Sequence, residues 1–213
     1  MPVFSRELGI DLGTFNTIMA EGSQVVLELP TVVALVVAEQ KIVEIGQAAK
    51  DMMGRVGDSI EVIRPLQNGV IADFEITEKL LGQIIQRSRS LFLGPRVMLT
   101  VPYGTTSVES RAVHEAGIGA GAREVYLVRQ PLAAALGIDL PISTPSGNMI
   151  ISLGGGTNQA AVLAMNDIVT ADTSRTGGLR MDDAIAGYVR KKYGVIIGQP
   201  TAEQLKIRIG AAI

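Results

Sequence analysis

Apolar and polar positions along the chain fall into short strand-like runs separated by a few stretches of helical period. Leu8 to Asp11 is a strand that runs straight into a Gly-Thr turn, and Thr17 to Ala20 returns beside it. Gln24 to Leu29 is a third extended run, closed by Pro30, which cannot donate to a ladder and marks a strand edge or a crossing to a new subdomain. Thr31 to Ala38 and Lys41 to Gly46 read as a hairpin, and Ala48 to Arg55 as a short helix stopped near Gly57. Asn68-Gly69 is a favoured hairpin turn that brings the chain back to the first domain. From there Ile76, Leu80, Leu81, Ile84 and Ile85 share one face of a helix. That helix is predicted to run out at an apolar tip of Leu91, Phe92 and Leu93, before Gly94 and Pro95 break it.

The second half follows the same logic. Val97 to Val101 is a continuous apolar strand, and Thr106 with Glu109 fits a capping box that starts the next helix. Glu124 to Val128 is a strand, and Pro131 sits where a helix begins, which places Gln130 at the mouth between strand end and helix start. Leu140 to Asn148 has the composition of a boundary linker. Asn148 to Ala164 reads as another hairpin and Asp167 to Ser174 as another strand. Gly177-Gly178 opens a helix with Met181, Ile185, Tyr188 and Val189 on one side, and Thr201-Ala202-Glu203-Gln204 looks like the capping-box start of a last one.

Two of these hairpins are alike. Ile10-Asp11-Leu12-Gly13 lies over Ile151-Ser152-Leu153-Gly154, with Thr14 and Thr157 close behind the glycines. A strand that delivers a carboxylate into a glycine turn can hold a phosphate and its metal, because the backbone approaches closely and offers N–H donors. A single copy is as readily a structural hairpin. Two copies facing each other can clamp a polyphosphate, although Ser152 stands where the first copy has Asp11. Gln130 reads either as a surface residue or as a side chain that orients a water on a bound phosphate.

Composition narrows the class. The 213 residues are 47% hydrophobic and 19% charged, which suits a folded, soluble chain with a real core. A net charge of -2 provides no basic field for nucleic acid, which is not expected as a partner. With no cysteine there is neither a disulfide framework nor a thiolate metal site, in keeping with a reducing cytoplasm. The single His114 rules out multi-histidine metal chemistry and is read as structural. No apolar run is long enough to span a membrane, and the N-terminus is too short and charged for a signal peptide. A dinucleotide fingerprint is disfavoured because Gly154 to Gly156 lies inside a hairpin and does not open a helix.

The ordered set GIDLGTFNT, RPLQNGVIADFEIT, a strand ending in Val-Pro, REVYLVRQPLAAALG, NMIISLGGGTNQAAV, TGGLRMDDAI and TAEQLKIRIGAA closely resembles the MreB family of bacterial actins. The resemblance implies the α/β fold of the actin, sugar-kinase and heat-shock chaperone ATPases, with duplicated mixed sheets flanked by helices. It divides the chain into a first actin-like domain at 1–29 and 64–143 with a small inserted subdomain at 30–63. A second domain would start at 144–178, and its helical subdomain at 179–213.

The same likeness implies ATP and Mg²⁺ between the two hairpins and at most slow hydrolysis. It further implies filaments by self-association on the inner face of the cytoplasmic membrane, working with the cell-wall elongation machinery. Carried over by position, Gly13, Thr14, Phe15 and Asn16 match the first phosphate loop and Gly154, Gly155, Gly156 and Thr157 the second. Asp11 would hold the metal through water, with Asp11, Gln130 and Thr157 as the catalytic group. Glu203 and Lys206 match a helix bordering adenine and ribose, and Leu91 and Phe92 match a membrane-inserting loop. The chain departs from the family at Ser152 and at Leu179-Arg180, and ends at Ile213 where the family continues through its second domain. The alternative expectation is a degenerate or truncated actin-like module without ATP hydrolysis, acting as a scaffold or co-assembling with a full-length homologue.

Overall fold

Leu8, Ile10 and Leu12 alternate with exposed Glu7, Gly9 and Asp11 along β1 (Glu7–Leu12), so one face of this strand enters the core and the other stays open. The computed structural model describes residues 6–87 and 94–211. β1 pairs antiparallel with β2 (Asn16–Glu21), which pairs with β3 (Gln24–Pro30), and Pro30 ends that edge strand. A small antiparallel sheet follows from β4 (Val33–Val36), β5 (Lys41–Ile45) and β6 (Ile60–Ile63), with β4 central, and it carries the helix α1 (Gln47–Met52). β7 (Leu66–Gln67) and β8 (Val70–Ile71) form the hairpin expected at Asn68-Gly69, where both turn residues have positive φ, 50° and 82°.

The helix α2 (Phe74–Gln86) buries all five periodic positions, Ile76, Leu80, Leu81, Ile84 and Ile85, at no more than 2% exposure, and Asp73 caps it by accepting from the Ile76 N–H. The predicted apolar tip at Leu91 and Phe92 lies outside the described residues. β9 (Arg96–Val101) pairs in parallel with β1, and β10 (Glu124–Arg129) in parallel with β9, completing a five-stranded mixed sheet of order β10-β9-β1-β2-β3. Between them α3 (Ser107–Gly119) starts at the expected capping box, in which Thr106 and Glu109 bond each other's backbone N–H. His114 is exposed on this helix. One contiguous core joins the buried face of this sheet to α2 and α3.

α4 (Gln130–Gly137) leads to a second antiparallel sheet, β11 (Asn148–Leu153), β12 (Asn158–Ala164) and β13 (Asp167–Ser174), with β12 in the middle. Ala135 of α4 packs with Ile142, Ala161 and Leu163 in a separate small core. β11 is an edge strand with Met149, Ile151 and Leu153 exposed on alternate positions. The last two helices, α5 (Gly178–Tyr193) and α6 (Gln199–Ile209), pack on each other.

One sequence expectation, the start of α6, fails here, and the inward side of α5 carries a charge that the sequence did not mark. In α5, Met181 and Tyr188 are about half exposed, and the buried residue is Asp182. The helix turns the Asp182 side inward because Lys206 of α6 lies 2.7 Å from that carboxylate. α6 begins at Gln199 behind Gly198, with Pro200 in the first turn and no side-chain cap, so Thr201 is already helical and no capping box forms.

Candidate functional site

The two glycine hairpins are the same structure made twice. In each, the residue after the strand is a glycine whose missing Cβ would strike the carbonyl oxygen three residues on. The distances are 2.5 Å for Gly13 against Asn16 and 2.7 Å for Gly154 against Thr157. The pairing registers also match: Asp11 stands opposite Ile18 and Leu12 opposite Thr17, as Ser152 stands opposite Gln159 and Leu153 opposite Asn158. Each loop is held from behind by different side chains. The Thr31 hydroxyl donates to the Gly13 carbonyl at 2.7 Å and shares a buried 2.8 Å bond with Thr17. Asn158 accepts from the Gly154 N–H at 3.2 Å and donates to the Thr176 carbonyl at 2.8 Å.

The tips touch. Glycine at 155 and 156 lets the second loop press on the first: a Cβ at Gly155 would meet the Cβ of Phe15, and one at Gly156 would meet the Thr14 hydroxyl. Thr14 accepts from the Gly69 N–H at 2.9 Å, which ties the β7–β8 turn to the same point. Beside this junction opens a cleft of about 450 Å³. Asp11, Gly13, Thr14, Phe15 and Asn16 line it from the first hairpin, and Ser152 with Gly154 to Thr157 from the second. Gln130 lines it too, so this set of sequence-predicted residues converges.

Among the lining residues with polar side chains, two were missed in the sequence, Thr100 and Gln159. Asp11 Oδ1 accepts from the Thr100 hydroxyl at 2.5 Å and from Gln130 Nε2 at 3.2 Å, and Gln130 Oε1 accepts from Gln159 Nε2 at 2.6 Å. No local signal marks either residue, since both sit at ordinary strand positions.

Glu203 and Lys206 are not among the residues lining the cleft. Lys50 of α1 holds Glu203 at 3.0 Å, while Lys206 lies against Asp182 and donates to the Gly178 carbonyl at 2.9 Å. The ring of Phe15 lies near two cations, the Lys50 ammonium, 4.8 Å from its centroid, and the Arg64 guanidinium, 5.1 Å away. Burial pushes the Arg64 guanidinium below its usual pKa, against the pull of Glu203 and Asp182. These charges tie α1 and the first loop to α5 and α6.

A family model described as MreB/Mbl protein matches residues 5–213. The chain belongs to the MreB/Mbl family. It is 50% identical over 218 residues to the cell shape-determining protein MreB of Pasteurella multocida (strain Pm70), covering 99% of this chain and 62% of that protein. Against the MreB of Escherichia coli (strain K12) the identity is 45%, with 99% and 63% covered. The cell shape-determining protein Mbl of Bacillus subtilis (strain 168) is 42% identical, with 97% and 63% covered. The chain therefore spans less than two thirds of the length of these MreB and Mbl relatives.

Among solved structures, MreB5 of Spiroplasma citri bound to ADP superposes with a TM-score of 0.90 at 34% identity, over 98% of this chain and 64% of that one. The same protein bound to AMPPNP gives 0.90 over 100% and 65%. A MamK double helical filament gives 0.77 at 20% identity over 94% and 63%, which supports the fold alone. The chain has the actin-like ATPase fold.

Proposed function

We propose that this chain binds ATP with Mg²⁺ in the cleft between the two glycine hairpins, and that it works in cell shape as a filament-forming actin homologue at the inner face of the cytoplasmic membrane. The observation that carries the nucleotide reading is the pair of matched hairpins meeting beside a cleft that also receives Asp11 and Gln130. A relative at 34% identity bound to ADP and to AMPPNP supports it.

Phosphates would lie along Gly13 to Asn16 and Gly154 to Thr157, with Gln130 and Thr157 beside the attacking water. The metal fits the donor set. Among the described residues no cluster of three His, Cys, Asp or Glu side chains exists, and Mg²⁺ bound to a nucleotide needs only one or two carboxylates beside phosphate oxygens and water. Both hydrogen bonds to Asp11 fall on Oδ1, leaving Oδ2 for a metal-bound water. The ion would neutralise phosphate charge there.

Calorimetric titration with ATP in the presence of Mg²⁺ tests this. Saturable binding that loses its Mg²⁺ dependence in Asp11→Ala is expected. A folded chain that does not bind, or an Asp11→Ala variant with unchanged Mg²⁺-dependent affinity, overturns it. Self-association into filaments rests on the family alone and is read by ATP-dependent sedimentation. Membrane contact through Leu91 and Phe92 is read by liposome flotation, which should fall when both are replaced by Ser.

Ser152 favours a second reading, an actin-like module that binds nucleotide or partners and does not hydrolyse. It lines the cleft at the position matching Asp11, and a neutral hydroxyl does not supply the missing charge. Phosphate release in the titrated sample separates the two.

A further inference from the structure

The bonds around Gln130 form a chain with one direction. It begins at the backbone N–H of Tyr103, which can only donate, and ends at the carboxylate of Asp11, which can only accept when ionised. Between them stand two amides. Gln159 Oε1 accepts from Tyr103 N–H at 2.7 Å, so its Nε2 faces Gln130 and donates to Gln130 Oε1 at 2.6 Å. Gln130 Nε2 is thereby turned to Asp11 Oδ1 at 3.2 Å. Reversing either amide alone sets donor against donor at one joint and acceptor against acceptor at another. Both ends enforce the same polarity.

Gln159 reaches this chain from the second sheet, while Tyr103, Gln130 and Asp11 belong to the first sheet and its connections. It is 3% exposed, and its amide is held by Tyr103 on one side and Gln130 on the other. We infer that Gln159 is a positioning residue. It fixes the amide of Gln130 so that the carbonyl oxygen faces the second hairpin and the NH₂ faces Asp11, and this makes the orientation of Gln130 depend on the spacing of the two sheets. A carbonyl oxygen has a second lone pair, so Gln130 Oε1 can accept from a water on the second-hairpin side while Gln159 holds it. For turnover this rests on the proposed reading of the cleft as an ATP site; the orientation itself does not.

The neighbouring contacts make Gln159 more than a fastener between sheets. Thr173 already donates to the Tyr103 carbonyl at 2.9 Å, and Arg175 already grips Glu109 through both of its Nη atoms at 3.0 Å. These hold the second sheet against the first without touching Gln130. Loss of Gln159 should therefore free the Gln130 amide and leave the sheets together.

The test compares Gln159→Glu with Gln159→Met in the full chain. Glu keeps the Tyr103 bond and the shape, but its ionised carboxylate faces Gln130 Oε1, so the Gln130 amide stands between two acceptors and no longer has one enforced orientation. Met keeps the volume and neither donates nor accepts at this joint.

The direct readout is the side-chain amide ¹H–¹⁵N signal of Gln130 in nucleotide-free protein, identified by its disappearance in Gln130→Met. It should move in both variants, because each removes the donor that fixes Gln130 Oε1. The second readout is ATP turnover, where kcat should fall about tenfold in both variants with KM within twofold, the size expected for losing one hydrogen bond that orients a group beside the reacting atoms. An unmoved Gln130 signal in either variant overturns the inference whatever the turnover does. A moved signal with unchanged kcat overturns the link to catalysis. If the wild-type chain neither binds nor hydrolyses ATP while the signal moves as expected, the nucleotide reading fails and the positioning by Gln159 stands.

Discussion

Gly177 gives the sharpest test of how the second loop is built. Its backbone lies in the extended region, φ −124° and ψ −165°, so alanine meets no torsional penalty. The cost comes from contact alone. A Cβ at Gly177 would lie 2.5 Å from the Gly155 carbonyl oxygen and 2.6 Å from that of Gly154, all backbone atoms that cannot swing aside. Restoring an ordinary 3.4 Å contact moves loop and helix apart by about 0.9 Å, the difference between 3.4 and 2.5 Å. That displacement breaks the bonds that Gly178 N–H and Leu179 N–H donate to the Gly154 and Gly155 carbonyls, each 3.0 Å.

Two such bonds contribute about 1 kcal/mol each, and overpacking costs roughly 1–3 kcal/mol, so Gly177→Ala should lose at least about 3 kcal/mol. In urea unfolding this lowers the midpoint by roughly 1 M. Gly178→Ala is the control. Its Cβ comes no closer than 3.4 Å, to the Lys206 ammonium, and meets the Gly154 carbonyl oxygen at an ordinary 3.9 Å, while alanine in a helical position is favoured over glycine by up to about 1 kcal/mol, so its midpoint should hold or rise. Equal midpoints for the two variants would refute the claim that α5 is packed against the loop backbone.

Other perturbations probe the joints around the cleft. Glu109→Gln keeps the capping box, which accepts either residue, and removes the charged pair with Arg175, so it should cost about 1 kcal/mol at neutral pH. Hydrogen bonds from Arg175 and from the Thr106 backbone hold the Glu109 carboxyl below its usual range, so its stabilisation is full above the unfolded pKa and lost as pH falls through the folded one. The gap between wild type and variant in thermal melts should close at the acid end, and a gap that widens on acidification would contradict the pairing. Lys206→Met strands the Asp182 carboxylate, 1% exposed, and should cost about 3 kcal/mol in chemical unfolding; adding Asp182→Asn should recover part of that loss, and no recovery would mean that charge is not the cause. Ser152→Asp restores an acid opposite Asp11 and should raise phosphate release at least tenfold if Ser152 limits hydrolysis; an unchanged rate would remove that explanation.

Local chemistry made most of the elements legible. Asn68-Gly69, Thr106 with Glu109, Pro131 and the five-residue stripe of α2 each specify an element within a few residues, and each is found where expected. The failures share a different cause. Thr201 to Gln204 has the letters of a capping box, but Pro200 belongs in a first turn, and this moves the helix start ahead of Thr201. The buried residue of α5 is a carboxylate, which no apolar period marks, and a lysine on α6, 24 residues further on, supplies its counter-charge. Gln159 and Thr100 were invisible for the same reason: their partners Tyr103 and Asp11 stand 56 and 89 residues away in sequence. Period and capping are local rules, whereas a polar network is decided by which distant strands meet.

The matched hairpins show which residues can carry evidence of function. Gly13 and Gly154 are demanded by their own turns, and Gly155 and Gly156 by the approach of Phe15 and Thr14, whether or not a ligand binds. The glycine motifs therefore establish the junction between the sheets before they establish a phosphate site. Chemistry enters through the side chains in which the two copies differ. Asp11 supplies the only carboxylate among the lining residues, so a dication is drawn to the first hairpin, while Ser152 leaves the second neutral. Gln130 and Gln159 then join the charged side to the neutral one through bonds of fixed direction. Substitutions at the glycines should lower stability and nucleotide affinity together, whereas substitutions at Ser152 and Gln159 should change turnover with little effect on either.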